Sequence, residues 1–202
     1  DKFIRIALRD GLKEVLDGLR AAVHAGFSPI KVNVVVMRGI NDDEIVNFAR
    51  LARQNPFQIR YIEFMPLDGD KVWHRSKVVT ANEIIETISR ELPALEQVAT
   101  NSSDPARLFR FKDGIGEVGV IPTVSEPFCM SCDRIRLTAD GKLRTCLFAL
   151  RETDIKTPMR SGASDEELAR IIAAAVLNKE KGHLINEPQF QRPVRAMVSI
   201  GG

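Results

Sequence analysis

The stretch IKVNVVVMRGINDDEIVNFARLARQNPFQIRYIEFM, residues 30–65, decides the fold of the first part of this chain. It opens with Ile30–Met37, which is apolar and β-branched enough to form a buried strand. Asn41 and Glu44 have the spacing of a capping box, so we predict that a helix begins there. Residues 59–65, IRYIEFM, have the composition of a second strand. Strand, helix and strand at this pitch predict βα units and a parallel sheet.

Outside this stretch the elements alternate less regularly. Apolar residues at helical spacing predict further helices over residues 10–25, 81–92 and 165–179. Capping boxes beginning at Thr80 and Ser164 mark the starts of the last two. Residues 93–107 are rich in turn formers and predict a loop, and short strands are expected from there to about residue 148. The change of pattern favours a domain boundary after Pro66.

Composition and charge exclude several classes of protein. The chain has 202 residues, 44% hydrophobic and 28% charged, which argues against disorder. A net charge of +2 is too small for a general nucleic-acid binder. The longest apolar run, Ile171–Leu177, is too short to cross a bilayer, so we expect no membrane partner. Three cysteines are an odd number, and ligand or redox roles in a reducing cytoplasm fit them better than a disulfide framework.

All three cysteines lie in PFCMSCDRIRLTADGKLRTCLF, residues 127–148, with the spacing C-x2-C-x13-C. Two strand-like runs, RIRLT and KLRTC, flank Ala139-Asp140-Gly141, which suits a three-residue hairpin loop. This register places Thr138 opposite Lys142. It also puts a set of thiol and guanidinium side chains on one face: Cys132, Arg134, Arg136, Arg144 and Cys146. A two-residue Asp-Gly loop would instead shift the register by one residue and move Cys146 to the other face.

Several kinds of site fit these cysteines. Structural zinc normally has four protein ligands in two pairs, so a zinc site would need a fourth donor such as His183. Iron–sulfur clusters also use thiolates, and three cysteines would leave one iron open to another ligand. The neighbouring arginines suit a phosphorylated substrate, although surface charges are usually only solvated. A structural protein that binds nothing is the third alternative.

The cysteine segment resembles the C-terminal cluster motif of the molybdenum-cofactor biosynthesis protein A family, the radical S-adenosylmethionine GTP 3',8-cyclases. KVNVVVMRGINDDEI, IRYIEFMPLDG, KVVTANEI and the terminal GG resemble the same family in the same order, so the likeness spans the chain. It implies an α/β fold. Residues 1–66 would be the C-terminal units of an incomplete (βα)6 TIM-like barrel, and residues 67–202 an α+β domain that holds an iron–sulfur cluster and binds GTP.

The resemblance also implies a reaction. A first [4Fe–4S] cluster would cleave S-adenosylmethionine to a radical that takes the 3' hydrogen of GTP. The ribose carbon would then attack guanine C8, giving (8S)-3',8-cyclo-7,8-dihydroguanosine 5'-triphosphate in the first step of molybdenum cofactor biosynthesis. That cluster requires a C-x3-C-x2-C motif that this chain lacks, and the chain begins at Asp1 rather than Met. We therefore expect a C-terminal part that is inactive alone.

Carried over position by position, the resemblance implies a set of site residues. The ligands of a second [4Fe–4S] cluster, with one iron open, would be Cys129, Cys132 and Cys146. The contacts to GTP would be Lys31, Arg134, Ile135 and Arg136, and the contact to S-adenosylmethionine would be Met65. The family's terminal double glycine enters the active site, so Gly201 and Gly202 are expected to insert when substrate binds. The family further implies an electron donor, a downstream cyclic pyranopterin monophosphate synthase and frequent dimerisation.

Overall fold

The computed structural model describes residues 1–69, 72–101 and 103–200, and it has a mixed α/β fold. The chain divides into two compact units, each built from two chain segments. The first unit comprises Asp1–Phe64 and Arg75–Pro127, and the second comprises Met65–His74 and Phe128–Gly202. A functional division of the chain after residue 66 stays a prediction. Within the described residues, each helix is too short or too polar to span a bilayer.

The first unit packs helices against a mixed sheet. Its helices are α1 Lys2–Ala7, α2 Leu12–His24, α3 Ile45–Gln54 and α4 Ala81–Glu91. Its strands are β1 Ile30–Val36, β2 Phe57–Glu63, β3 Leu95–Val98, β4 Arg107–Phe111 and β5 Glu117–Ile121. The sheet order is β1-β2-β5-β4-β3, in which β1, β2 and β5 are parallel and β4 and β3 are antiparallel additions.

The parallel βα units predicted from residues 30–65 are confirmed. Alternate residues of β1 are buried or half-buried, and its exposed positions include Lys31. The core contains the fully buried side chains of Ile59, Tyr61 and Ile84. The prediction of a loop over residues 93–107 was wrong where β3 forms, because this short strand is held by pairing with β4 rather than by a buried apolar face.

The capping box predicted at Asn41 was also wrong. The Asn41 side chain accepts a hydrogen bond from the Met37 N–H at 2.7 Å and donates one to the Val35 carbonyl at 2.9 Å. It therefore closes the end of β1 instead of capping a helix. A short 3-10 turn, Asp42–Glu44, leads into α3. The capping boxes predicted at Thr80 and Ser164 are both present.

A buried carboxylate fixes the carboxyl end of β2. Glu63 is 0% exposed. It accepts hydrogen bonds from the backbone N–H groups of Ala81, Val124 and Ser125, at 2.7–2.8 Å, and from the Ser125 hydroxyl. One side chain thus joins the end of a strand, the first turn of α4 and the segment that follows β5. Four donors satisfy most of the acceptor capacity of an ionised carboxylate.

The second unit contains a small sheet and two helices after the cysteines. Its elements are β6 Arg136–Leu137, β7 Lys142–Arg144, β8 Thr153–Asp154, α5 Lys156–Arg160 and α6 Asp165–Leu177. Arg136 pairs with Arg144, and the Thr138 N–H donates to the Lys142 carbonyl at 2.9 Å. Gly141 has a left-handed φ of 81° in the turn. The three-residue hairpin register is therefore confirmed, and the two-residue alternative is wrong.

Candidate functional site

The three cysteines are free, half-buried thiols in the second unit. Cys129 opens a short 3-10 turn, and the Cys132 N–H donates to the Cys129 carbonyl at 3.2 Å, so the C-x2-C pair lies on one tight loop. Cys146 follows β7, and its Sγ accepts a hydrogen bond from the Phe148 N–H at 3.4 Å. A cavity of about 520 Å³ opens beside Cys146. The thiols are thus accessible and not committed to disulfides.

Electrostatic interactions with the other two cysteines affect the pKa of the Cys146 thiol. Burial raises the pKa of Cys146 above its usual value, and repulsion from Glu180, Cys129 and Cys132 raises it further, against a lowering contribution from the Phe148 N–H. This repulsion requires the three sulfurs to lie within electrostatic reach of one another. Cys146 therefore lies within electrostatic range of both other cysteines, and their convergence on one cluster stays a prediction.

The thiol of Cys132 lies among cationic groups. Burial alone would raise its pKa, but the backbone N–H and guanidinium of Arg134 and the ammonium of Lys179 lower it below the usual value. The thiolate is the form of cysteine that binds a metal. Cys132 is therefore electrostatically prepared to act as a ligand.

The donor set fits a cluster better than a single ion. Across residues 1–69, 72–101 and 103–200, no three His, Cys, Asp or Glu side chains are arranged to hold one metal ion. The zinc site considered from the sequence, with His183 as fourth ligand, is therefore not formed there. A single zinc ion needs its sulfurs about 2.3 Å from the metal, whereas the thiolates of a cluster bind different iron atoms and stand roughly 6–7 Å apart. Three free thiols are the donors that a cluster uses, and the pKa of Cys132 is lowered below its usual value.

Three residues in the segment after α6 lie against the cysteines or their immediate neighbours, and sequence reasoning missed them. The Lys179 ammonium lies 3.5 Å from the Cys132 Sγ. The Glu180 carboxylate accepts a hydrogen bond from the Thr145 hydroxyl at 2.6 Å, one residue before Cys146. Gly182 packs so closely that an added Cβ would lie 3.3 Å from the Cβ and 3.5 Å from the Sγ of Cys129. No local pattern marks this segment, and only the fold brings it to the site.

The arginines of the hairpin have different environments. Arg134 is exposed, and its guanidinium lies 5.1 Å from the centroid of the Phe128 ring. Ile135 is 43% exposed. Arg136 is half-buried and donates to the Ile200 carbonyl at 3.4 Å. Arg134 therefore presents the more accessible cation.

Arg144 pairs with Arg136, so the two side chains lie on one face of the hairpin as predicted, but Arg144 is buried there. It is 2% exposed, forms an ion pair with Glu152 and donates to the carbonyls of Leu147 and Ala149 at 3.1 and 2.7 Å. Its guanidinium holds the loop after β7 and is not available to a substrate.

The two remaining predicted contacts lie elsewhere in the chain. Lys31 is exposed near the start of β1 in the first unit, in register with Gln58 of β2. Met65 is half-buried two residues beyond β2, and the compact second unit begins with it. Gly201 and Gly202 lie outside the described residues, so the insertion of the tail stays a prediction. The ligand roles of all these residues are likewise still predictions.

Comparison with known proteins identifies relatives along the whole chain. The GTP 3',8-cyclase of Streptomyces coelicolor is 45% identical over 204 residues, covering 100% of this chain and 60% of the relative. The GTP 3',8-cyclase of Mycolicibacterium smegmatis is 43% identical over 204 residues, with 99% and 56% covered. Molybdenum cofactor biosynthesis protein 1 of Homo sapiens is 42% identical over 199 residues, with 98% and 31% covered.

This chain thus spans well under two thirds of the length of these relatives. The family model described as Molybdenum Cofactor Synthesis C matches residues 57–185, which include β2, the cysteine hairpin and α6. The match covers more than half of the chain. The chain therefore belongs to the Molybdenum Cofactor Synthesis C family.

Proposed function

We propose that this chain is the substrate-binding part of a GTP 3',8-cyclase, which performs the first step of molybdenum cofactor synthesis. One observation supports this above all: the segment 129–146 carries three free thiols together with Arg134 and Arg136, and the Cys146 thiol interacts electrostatically with the other two. The family and the names of the relatives supply the substrate and the reaction.

In this proposal Cys129, Cys132 and Cys146 hold a [4Fe–4S] cluster. When bound, the cluster supplies an open iron that binds the guanine of GTP. Arg134 and Arg136 bind the triphosphate, because a guanidinium donates two parallel hydrogen bonds to phosphate oxygens. The exposed apolar edge of Ile135 between them contacts the nucleotide.

Two residues outside the hairpin complete the proposed contacts. The exposed ammonium of Lys31 binds GTP, and the half-buried thioether of Met65 contacts S-adenosylmethionine. Radical generation, with its own [4Fe–4S] cluster and an external electron donor, belongs to a part of the complete enzyme outside this chain. This chain alone therefore binds GTP without cyclising it. In the cytoplasm, the cyclised product would pass to cyclic pyranopterin monophosphate synthase.

The proposal is tested in the complete enzyme after the cysteines of its C-x3-C-x2-C motif are replaced by alanine. The protein, purified without oxygen, should be brown and contain iron and sulfide in about equal amounts, roughly four of each. Cys129→Ser, Cys132→Ser and Cys146→Ser should each lose this content. Met130→Ala is the matched control, because Met130 lies within the C-x2-C loop and is 89% exposed.

Binding of GTP should also change the electron paramagnetic resonance spectrum of the reduced protein. A colourless protein that contains zinc would replace the proposal with the three-cysteine zinc module. A protein with neither metal would make the hairpin a structural element only.

A further inference from the structure

The ammonium of Lys179 makes three contacts to the segment 132–134, which precedes β6. It donates to the Cys132 carbonyl at 2.7 Å and to the Arg134 carbonyl at 2.9 Å, and it lies 3.5 Å from the Cys132 Sγ. A lysine ammonium has three N–H donors and no acceptor. The number of contacts equals the number of N–H donors, so we expect the Lys179 side chain to be held in one orientation.

The base of this side chain is also fixed. Lys179 follows α6, and its backbone N–H donates to the Val176 carbonyl at 3.1 Å. The residue is half-buried, so its contacts with the hairpin are less screened than those of a surface lysine. Glu180 and Gly182 hold the same segment to Thr145 and Cys129.

We propose that Lys179 is a positioning residue that sets the reduction potential of the cluster and the placement of Arg134. The inference rests on the proposed function, because it requires a cluster on Cys132. A donor and a positive charge beside a ligand sulfur stabilise the electron that reduction adds. The same ammonium joins the carbonyls of Cys132 and Arg134, so it couples the ligand to the residue that binds the triphosphate.

The test uses the complete enzyme without the C-x3-C-x2-C cysteines, so that only the cluster on Cys129, Cys132 and Cys146 is observed. Lys179→Met should shift the one-electron reduction equilibrium about tenfold towards the oxidised form, about 59 mV. It should also weaken GTP binding severalfold. Lys179→Arg, which keeps the charge and the donors, should restore most of both properties.

Lys181→Met is the matched control. Lys181 is an exposed cation two residues away, and within the described chain no hydrogen bond or ion pair joins it to the hairpin. The Lys181→Met substitution should shift the one-electron reduction equilibrium of the cluster less than threefold. A cluster-bearing Lys179→Met protein with an unchanged potential would overturn the role of Lys179 and leave the proposed function intact.

Absence of an iron–sulfur cluster from the parent protein would overturn the proposed function and the inference with it. If the Lys179→Met protein cannot retain iron, the iron content of the Lys179→Arg protein tests whether the ammonium acts as a positioning group. Full content supports positioning by the ammonium, and loss equal to that of the methionine variant overturns it.

Discussion

Replacement of Glu63 by glutamine should be among the most damaging conservative changes in the first unit. Oε2 of Glu63 accepts from the Val124 and Ser125 N–H groups, and Oε1 accepts from the Ala81 N–H and the Ser125 hydroxyl. Glutamine keeps one oxygen and turns the other into a donor. In the least costly orientation, the glutamine oxygen takes the place of Oε2 and accepts from the Val124 and Ser125 N–H groups. The glutamine NH2 group then takes the place of Oε1 and donates to the Ser125 hydroxyl. The Ala81 N–H is left facing this NH2 group without an acceptor.

The magnitude follows from these contacts. A hydrogen bond to a charged group contributes about 1.5–3 kcal/mol, and one to a neutral acceptor about 0.5–1.5 kcal/mol. Glu63→Gln loses one charged bond and weakens the others, while the removal of a buried charge offsets part of this loss. We therefore expect a loss of about 3 kcal/mol in the free energy of unfolding. Ser125→Ala removes one donor of the four and should cost about half as much.

Urea unfolding followed by circular dichroism measures the free energy, and amide hydrogen exchange measures the local effect. Exchange should accelerate at Ala81, Val124 and Ser125 before it does elsewhere in the sheet. Glu96→Gln is the control, because Glu96 is exposed on β3 and should change stability by less than about 0.5 kcal/mol. A Glu63→Gln protein within about 1 kcal/mol of the parent, with unchanged exchange at these amides, would refute the reasoning.

Arg134→Ala and Arg136→Ala should each weaken GTP binding to the complete enzyme at least about tenfold by equilibrium dialysis, and unchanged affinity would make both charges merely solvated. Gly182→Val should lower the iron content, because its Cβ would lie 3.5 Å from the Cys129 Sγ; full content would contradict this crowding. Arg144→Met removes a buried guanidinium from the carbonyls of Leu147 and Ala149 and from the partly exposed Glu152 carboxylate, which keeps Arg195 as a partner; we expect a cost of about 3 kcal/mol. The melting temperature should fall by about 6–12 °C, and a fall below about 3 °C would argue against a structural Arg144.

Local chemistry predicted the parts of the fold that depend on neighbours in sequence. The capping boxes at Thr80 and Ser164 and the left-handed Gly141 follow from residue types at fixed spacing. Asn41 has the same local signature as a cap, but tertiary contacts with the end of β1 use its amide. Strand β3 escaped prediction because its pairing with β4 is a non-local property.

In the candidate site, too, local sequence predicted some features, and tertiary contacts determined the others. The spacing of the cysteines and the turn residues predicted the hairpin and its register. Alternation correctly placed Arg144 beside Arg136, but it could not predict that Glu152 and the loop after β7 bury its guanidinium. Lys179 lies 47 residues from Cys132 in sequence, and no local pattern joins them. Its contacts arise only because the fold brings the segment after α6 to Cys132 and Arg134.

The contacts of Lys179 bear on whether the charges of the hairpin are merely solvated. A solvated lysine keeps its ammonium in water, but the Lys179 ammonium contacts two carbonyls and the thiol of the segment 132–134. Arg134 adds a second cation to the same thiol. Ordering a lysine side chain costs up to about 2 kcal/mol of rotamer entropy, and the hydrogen bonds from Lys179 to the two carbonyls offset this cost. The positive charge is organised around the thiol of Cys132, as expected if that thiol acts as a thiolate.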